Sequence, residues 1–406
     1  MTKRTAIRTP SSHRHADVPW RAFLKDVFIC SLGSYGGPEA HIGVFIDQMV
    51  KKRRYLTEEE LIELVALCSV LPGPTSTQTI VAVGHRMGGP VLGLLTLLVW
   101  ALPAVVVMGV LSFVYELLAA LRISSEGLRF IGPMAVGFIV VAAFRIGRKV
   151  AVDPLTVGLL VFGAVTTYFL RQPWVFPLVL LAGGLAAVVA SRERGLWHTV
   201  RLDPPWGYLA VFAVLALGGV VLTLTWDTRL VHLLESFYRY GYLVFGGGQV
   251  VVPVMYSELV EQRMYLTGEA FLTGYGLVQG LPGPMFSFAA YAGGMAGRDG
   301  GPLVQVLAAA IGGVGIFLPG ILLIFFVIPV WERLRAIRGI KVSLRGINAV
   351  AGGMIAVAAI IVMRKSGFTP ANLAVAGATG LLLVTGKVPP PLIVLLALVA
   401  GFALPV

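Results

Sequence analysis

The tetrapeptide Leu71-Pro72-Gly73-Pro74 recurs as Leu281-Pro282-Gly283-Pro284, each time inside an apolar run. Nothing else in the chain restricts its fold so strongly. Proline fixes φ and lacks a backbone N–H, and glycine between two prolines is a permissive joint, so each copy must end one helix and start another. The surrounding chain is 57% hydrophobic and 13% charged over 406 residues, against about 25% charged in a soluble domain. That is the composition of a polytopic membrane protein. At membrane depth a broken helix is tolerated only where protein buries it or where it lines a cavity. Interrupted apolar segments at matching positions of two halves point to a transport site. A plain kink or a surface loop is the competing reading of one copy, and the duplication weakens it.

The duplication extends well beyond the tetrapeptide. An offset of 210 (Gly36 onto Gly246) aligns Gly36-Gly37 with Gly246-Gly247, Arg53 with Arg263 and Tyr55-Leu56-Thr57 with Tyr265-Leu266-Thr267. From 36 to 74, 14 of 39 positions are identical without a gap. Further on the offset becomes 216 (Pro103 onto Pro319) and pairs Glu116 with Glu332, Gly137 with Gly353 and Pro154 with Pro370. The chain therefore divides into a basic tail, 1–19, a first repeat, 20–191, a connector, 192–229, and a second repeat, 230–406. The connector holds one apolar run, 206–226, without a counterpart. A single extra span between two units turns the second upside down relative to the first.

Within each repeat the apolar runs come in two sizes. Segments 20–34 and 38–50 flank Gly33-Ser34-Tyr35-Gly36-Gly37, and segments 57–71 and 75–86 flank Pro72-Gly73-Pro74. Each is about 15 residues or fewer, short of the roughly 20 that cross a bilayer. Two helical hairpins turning near mid-membrane are expected, followed by spans at 88–121 (kinked at Pro103), 128–148, 155–170 and 173–191. The second repeat predicts hairpins at 230–260 and 267–298, then spans at 302–331, 346–363, 369–386 and 388–405. The expected fold class is all-α: an inverted repeat of two helical units, each with two broken hairpins and about four full spans, joined by one extra transmembrane helix.

Charge tests the inversion. With the N-terminus inside, 23 of the 32 Lys and Arg fall on the cytoplasmic side and 9 outside, as positive-inside requires. Equivalent loops also exchange charge: 51–54 is basic where 261–264 is not, and 333–345 is basic where 122–129 is sparse. A parallel repeat leaves that exchange unexplained. The net charge of +12 sits in short loops, which favours anchoring on anionic lipid over nucleic acid as a partner. No apolar stretch directly follows the tail, so no cleaved signal peptide is expected. Two cysteines, Cys30 and Cys68, and no HExxH or CxxC motif leave no ligand set for a metal or redox cofactor. None is expected, and an enzyme is disfavoured.

Four helix-starting tips are candidates for binding an anion: Gly36-Gly37-Pro38-Glu39, Pro72-Gly73-Pro74-Thr75, Gly246-Gly247-Gly248-Gln249 and Pro282-Gly283-Pro284. Free N–H groups and the helix dipole favour negative charge there. Thr75, Ser76, Thr77 and Gln78 add hydroxyl and amide donors. Ser287 is the matching hydroxyl of the second repeat, where Met285, Phe286 and Phe288 make the tip greasier. Capping of their own helices is the alternative role for these hydroxyls. Glu39 and His41 are ionisable groups within a hairpin and suit proton coupling. Gln249 and Gln279 are uncharged polar candidates. Asp47, Glu63, Glu116, Glu235, Glu258 and Glu332 are read as solvated or paired near the interfaces.

These motifs resemble the chromate ion transporter family in its long, two-domain form. The first repeat resembles the family's N-terminal pattern through Gly36-Gly37-Pro38, Arg53 to Leu56, and Leu71-Pro72-Gly73-Pro74 followed by Thr75-Ser76-Thr77-Gln78. The second resembles its C-terminal pattern through Phe245-Gly246-Gly247-Gly248, Val252-Pro253 and residues 276–284. The resemblance implies a secondary transporter that exports chromate across the cytoplasmic membrane by alternating access and confers resistance. Sulfate or another oxyanion, or a passive anion channel, are the alternatives, and a homodimer is compatible. Position 78 is Gln where some members carry Glu, so no proton role is carried to it.

Overall fold

The computed structural model describes residues 18–120, 127–170, 172, 175–191, 196–197, 203–243, 251–334 and 337–403; all regular structure among them is helical. Helix α1 (Trp20–Gly33) stops at Ser34, whose backbone is extended (φ −98°, ψ 108°). Gly36 and Gly37 follow at φ 80° and 96°, a region that costs a residue with a Cβ about 1–2 kcal/mol. Pro38 then opens α2 (Pro38–Phe45), where its missing N–H is no loss. α2 continues as a π-helix, Ile46–Lys52. A capping box starts α3 (Glu58–Val70): the Glu60 N–H donates to Thr57 Oγ1 and the Thr57 N–H to Glu60 Oε2, at 3.2 and 2.8 Å. After Pro72-Gly73-Pro74, α4 (Thr75–Ala120) leaves helical angles only at Gly88 and Gly89. The expected break at 88–90 is there, whereas Pro103 lies within helical backbone.

Helices α5 (Ile131–Val150), α6 (Pro154–Phe169) and α7 (Val175–Ala190) complete the first repeat, and α8 (Trp206–Thr225) is the helix without a counterpart. The second repeat follows the same order with α9 (Arg229–Leu243), α10 (Val251–Tyr256), a π-helix (Ser257–Gln262), α11 (Gly268–Val278), a 3-10 turn (Met285–Ser287), α12 (Phe288–Gly297) and α13 (Pro302–Gly315). Then come α14 (Leu318–Val327), α15 (Trp331–Leu334), α16 (Arg338–Ser366), α17 (Pro370–Thr385) and α18 (Pro390–Ala403).

Backbone irregularities repeat as faithfully as the sequence. Both π-helices sit at equivalent positions and each is followed by a non-glycine residue at positive φ, Arg54 (55°) and Met264 (52°). Gly73 and Gly283, the central residues of the two breaks, lie at 129° and 103°. The repeats differ at the later proline: α4 runs through Pro103, while its partner Pro319 stands in the first turn of the new helix α14.

Among the described residues, five helical stretches are long and apolar enough to cross a membrane: Thr75–Leu117, Ile131–Val150, Trp206–Thr225, Pro302–Val330 and Arg338–Ile361. α6, α7, α17 and α18 are apolar but only 14–16 residues long. At 1.5 Å per residue that is about 21–24 Å, short of a core of about 30 Å. In a soluble protein the exposed leucines, valines and phenylalanines on these helices would be a liability; against lipid tails they are the expected surface.

The two repeats are interlocked. α16 of the second repeat packs on α6 and α7 of the first, and α5 of the first packs on α17 and α11 of the second. Glycines permit this closeness. A Cβ on Gly353 would overlap the Leu160 carbonyl, and one on Gly137 would lie 2.7 Å from the Ala376 carbonyl. These are the same contact seen twice, since the 216 offset carries Gly137 to Gly353 and Leu160 to Ala376. Contacts in which i meets j and j meets i are the mark of a two-fold relation. The Arg345 guanidinium of α16 also pairs with Asp153, the N-cap of α6.

Candidate functional site

Each Pro-Gly-Pro seats on the other repeat. A Cβ on Gly73 would come within 3.2 Å of the Gly320 backbone, and one on Gly283 within 3.0 Å of Ala104 Cβ. Ala104 and Gly320 are equivalent positions, so the contact is again reciprocal. Gln78 Nε2 donates to the Gly320 carbonyl (3.0 Å) and to the Pro72 carbonyl (2.9 Å), holding the first break against the second repeat. The Gly283 N–H donates to the Ser34 carbonyl at 2.9 Å, which joins the second break to the end of α1. Three of the four expected tips are therefore brought together. The fourth, Gly246, Gly247, Gly248 and Gln249, lies outside the described residues.

Around the first break the polar side chains form one buried network. His41, Ser76, Thr77 and Gln78 are all buried. His41 Nδ1 and Ser76 Oγ are hydrogen-bonded at 3.0 Å, and the Trp100 indole N–H donates to Thr77 Oγ1 at 3.1 Å. Edge-on contacts from His41 and Phe45 to the Trp100 ring, with centroids 5.5 and 5.3 Å apart, close the cluster. Thr75 is half-buried at the helix start. Gln78 Oε1 is buried without a partner. Gly36 is exposed and abuts Pro390. Pro38 starts α2, and the side chain of Glu39 lies outside what the structure describes.

The second break is apolar where the first is polar. Gln279 Nε2 reaches Met285 Sδ at 3.5 Å, and Ser287 Oγ is buried without a partner. A small cavity beside it is lined by Val251, Met255, Tyr275, Met285, Phe286 and Ile316. By the two offsets, Val251, Met255 and Ile316 stand where the first repeat has His41, Phe45 and Trp100. The cavity thus occupies the place of the ring cluster, hollow because smaller side chains replace an indole and an imidazole.

A second pair of polar clusters was not foreseen from the sequence. Asp26, fully buried, accepts from Gln48 Nε2 (2.9 Å), Arg53 Nε (2.9 Å) and Tyr55 OH (2.6 Å). Glu258 is buried as well and accepts from Ser236 Oγ (2.8 Å), Arg239 Nη2 (2.9 Å), Tyr240 OH (2.8 Å) and Arg263 Nε (3.4 Å). The 210 offset carries Asp26 to Ser236, Gln48 to Glu258 and Arg53 to Arg263. The two repeats make the same contact with the carboxylate on opposite sides of it. The rule that singled out Glu39 as an ionisable group in an apolar hairpin applies equally to Asp26. Glu258 is paired, as expected, and Glu235 pairs with Arg239 at 2.6 Å. Near the far end of the second hairpin His85 packs on Phe325, and Arg86 pairs with Glu60 at 2.5 Å.

Comparison with known proteins agrees with this architecture. The family model described as chromate transporter matches twice, at residues 21–188 and 231–402. A probable chromate transport protein of Synechococcus elongatus is 25% identical over 376 residues, 90% of this chain and 91% of its own length. A chromate transport protein of Pseudomonas aeruginosa is 28% identical over 79% of this chain and 75% of its own, and one of Cupriavidus metallidurans is 25% identical over 82% and 80%. No solved structure gives a significant match. Two matches of the family model, one in each interlocked helical repeat, establish that the chain is a multi-pass membrane protein belonging to the chromate transporter family.

Proposed function

We propose that the chain is a secondary transporter that exports chromate across the cytoplasmic membrane by alternating access and so confers chromate resistance. The observation that carries the reading is the reciprocal seating of the two breaks, Gly73 on Gly320 and Gly283 beside Ala104, which gathers helix starts from both repeats at one place. The names of the relatives supply the substrate. In this reading the N-terminus is cytoplasmic, the hairpins enter and return on their own side, and the repeats are inverted. The tips with Thr75, Ser76, Thr77 and Ser287 hold the tetrahedral oxyanion, Gln78 braces the first break with its amide protons on the Pro72 and Gly320 carbonyls, and His41 with Glu39 serves proton coupling. Because α5 and α16 are each packed into the opposite repeat, the hairpins move against the interlocked helices rather than one repeat against the other.

The test is uptake of labelled chromate into everted vesicles. Saturable uptake that collapses with the proton gradient is expected, whereas linear, gradient-independent flux identifies a channel. Thr75→Ala with Thr77→Ala should weaken uptake severalfold while the protein still reaches the membrane; unchanged uptake removes these hydroxyls from the site. Hydroxyl and amide donors suit any tetrahedral dianion, so competition by sulfate, molybdate and phosphate sets the substrate range.

A further inference from the structure

The Trp100 side chain is fully buried and ties together three neighbouring segments. Its indole N–H donates to Thr77, its ring meets His41 and Phe45 of α2, and its carbonyl accepts from Ser31 Oγ of α1 at 2.8 Å. The contact with Thr77 has a consequence for where that hydroxyl can point.

A helical threonine ordinarily donates its proton to the carbonyl four residues back. Thr79 does so to Thr75 at 2.8 Å, and Thr96 to Leu92 at 2.7 Å. For Thr77 the residue four back is Gly73, whose φ of 129° takes it out of the helix. Thr77 Oγ1 instead accepts from Trp100, and among the described residues no acceptor takes the Thr77 proton. A hydroxyl that accepts on one lone pair is a stronger donor through its own proton. An unused buried O–H is costly, and here it belongs to the first turn of a helix.

The second repeat is the natural control. The counterpart of Thr77 is Ser287, and the counterpart of Trp100 is Ile316, whose side chain has no N–H. Ser287 Oγ is buried with no partner among the described residues, and its neighbours Phe286 and Phe288 line an apolar cavity. Of these two equivalent hydroxyls, Thr77 is oriented by a fixed donor, and Ser287 has none among the described residues.

We propose that Trp100 is a positioning residue: its indole N–H occupies Thr77 Oγ1 and so directs the Thr77 hydroxyl proton to the bound oxyanion. This rests on the transport reading above. The first repeat then gives the oxyanion an oriented hydroxyl, whereas Ser287 of the second offers one with no fixed donor behind it.

The experiment is labelled chromate uptake by the purified full-length chain in proteoliposomes, with KM and Vmax measured for wild type, W100F, T77V, T77S and the W100F/T77V pair. W100F keeps an aromatic ring and loses the donor. It should raise KM about three- to tenfold, the net worth of one hydrogen bond, and leave Vmax little changed. T77V should raise KM at least as much, T77S should stay near wild type, and W100F should add nothing in the T77V background. A purely structural role for Trp100 would instead lower stability and multiply with T77V. Wild-type KM in W100F or in T77V, or multiplicative effects in the pair, overturns the proposal. If W100F fails to insert, the T77V and T77S pair decides, because equal KM values for the two remove the hydroxyl from the site. Wild-type vesicles that take up no oxyanion overturn the transport reading itself, and this proposal with it.

Discussion

Moving the buried carboxylate of the first repeat to the place it holds in the second should leave the protein folded. Asp26 is fully buried and satisfies three donors. In D26S, Gln48 and Tyr55 lose their acceptor. Each orphaned neutral donor costs about 1–3 kcal/mol when buried, and Gln48 is 7% exposed. The Arg53 side chain is 48% exposed, so water replaces its partner and the lost ion pair adds at most about 1 kcal/mol. D26S should therefore lose about 2–7 kcal/mol. Q48E alone crowds two carboxylates around one guanidinium and should also destabilise. Together, D26S and Q48E recreate the Ser236–Glu258–Arg263 arrangement, with the new hydroxyl donating to the new carboxylate. Thermal unfolding of the four purified proteins in detergent gives the coupling energy, expected at about 2 kcal/mol in the stabilising direction, within the usual range for contacting residues. The double variant need not reach wild type, because Tyr240, not Tyr265, bonds Glu258, and Tyr55 is not restored. Additive losses in the double variant refute the equivalence of the two clusters.

The interlock makes a matched prediction in α16 and α5. G353A would press a methyl group into the Leu160 carbonyl and should cost about 1–3 kcal/mol as overpacking. G147A, where nothing lies within 4 Å, should be neutral or stabilise by about 0.5–1 kcal/mol; equal melting temperatures for the two would show that the repeats do not pack as described. G283A combines a φ of 103° with a 3.0 Å approach to Ala104 Cβ. It should lower the melting temperature by the equivalent of about 1–2 kcal/mol, and wild-type stability would mean the break relaxes freely. The inversion is tested by single cysteines on exposed equivalent loops, since Cys30 and Cys68 are buried. R54C should react with an impermeant maleimide only from the cytoplasmic side and M264C only from outside, both positions being exposed, and labelling of both from one side refutes an inverted repeat.

Much of the candidate site's backbone was legible because its signals are local. Pro-Gly-Pro breaks a helix by its own backbone chemistry, Thr57 and Glu60 cap α3 across three residues, and Gly36-Gly37-Pro38 ends one helix and starts another. None of these needs a distant partner. The candidate hydroxyls were legible as residue types, but not by what they bond. Ser76 and Thr77 are engaged by His41 and Trp100, 35 and 23 positions away, and Gln78 bonds Gly320 across 242. The greater polarity of the first break was plain in the sequence; that its amide and two hydroxyls are held by the protein, while Ser287 of the greasier break is not, was not.

Taken by itself, the sequence determined a membrane-spanning, all-helical chain built from two copies of one unit, with a paired break in each. Composition, periodicity and the offsets of 210 and 216 are properties of the string, and helices in lipid must satisfy their own backbone. Only the tertiary structure decided that α5 and α16 are packed into the opposite repeat, that Asp26 and Glu258 are two versions of one contact, and that the Trp100 indole N–H meets Thr77 Oγ1. Those depend on which glycine faces which carbonyl and which side chain fills or leaves a hollow, and an apolar sequence with so little charge does not distinguish one such pairing from another.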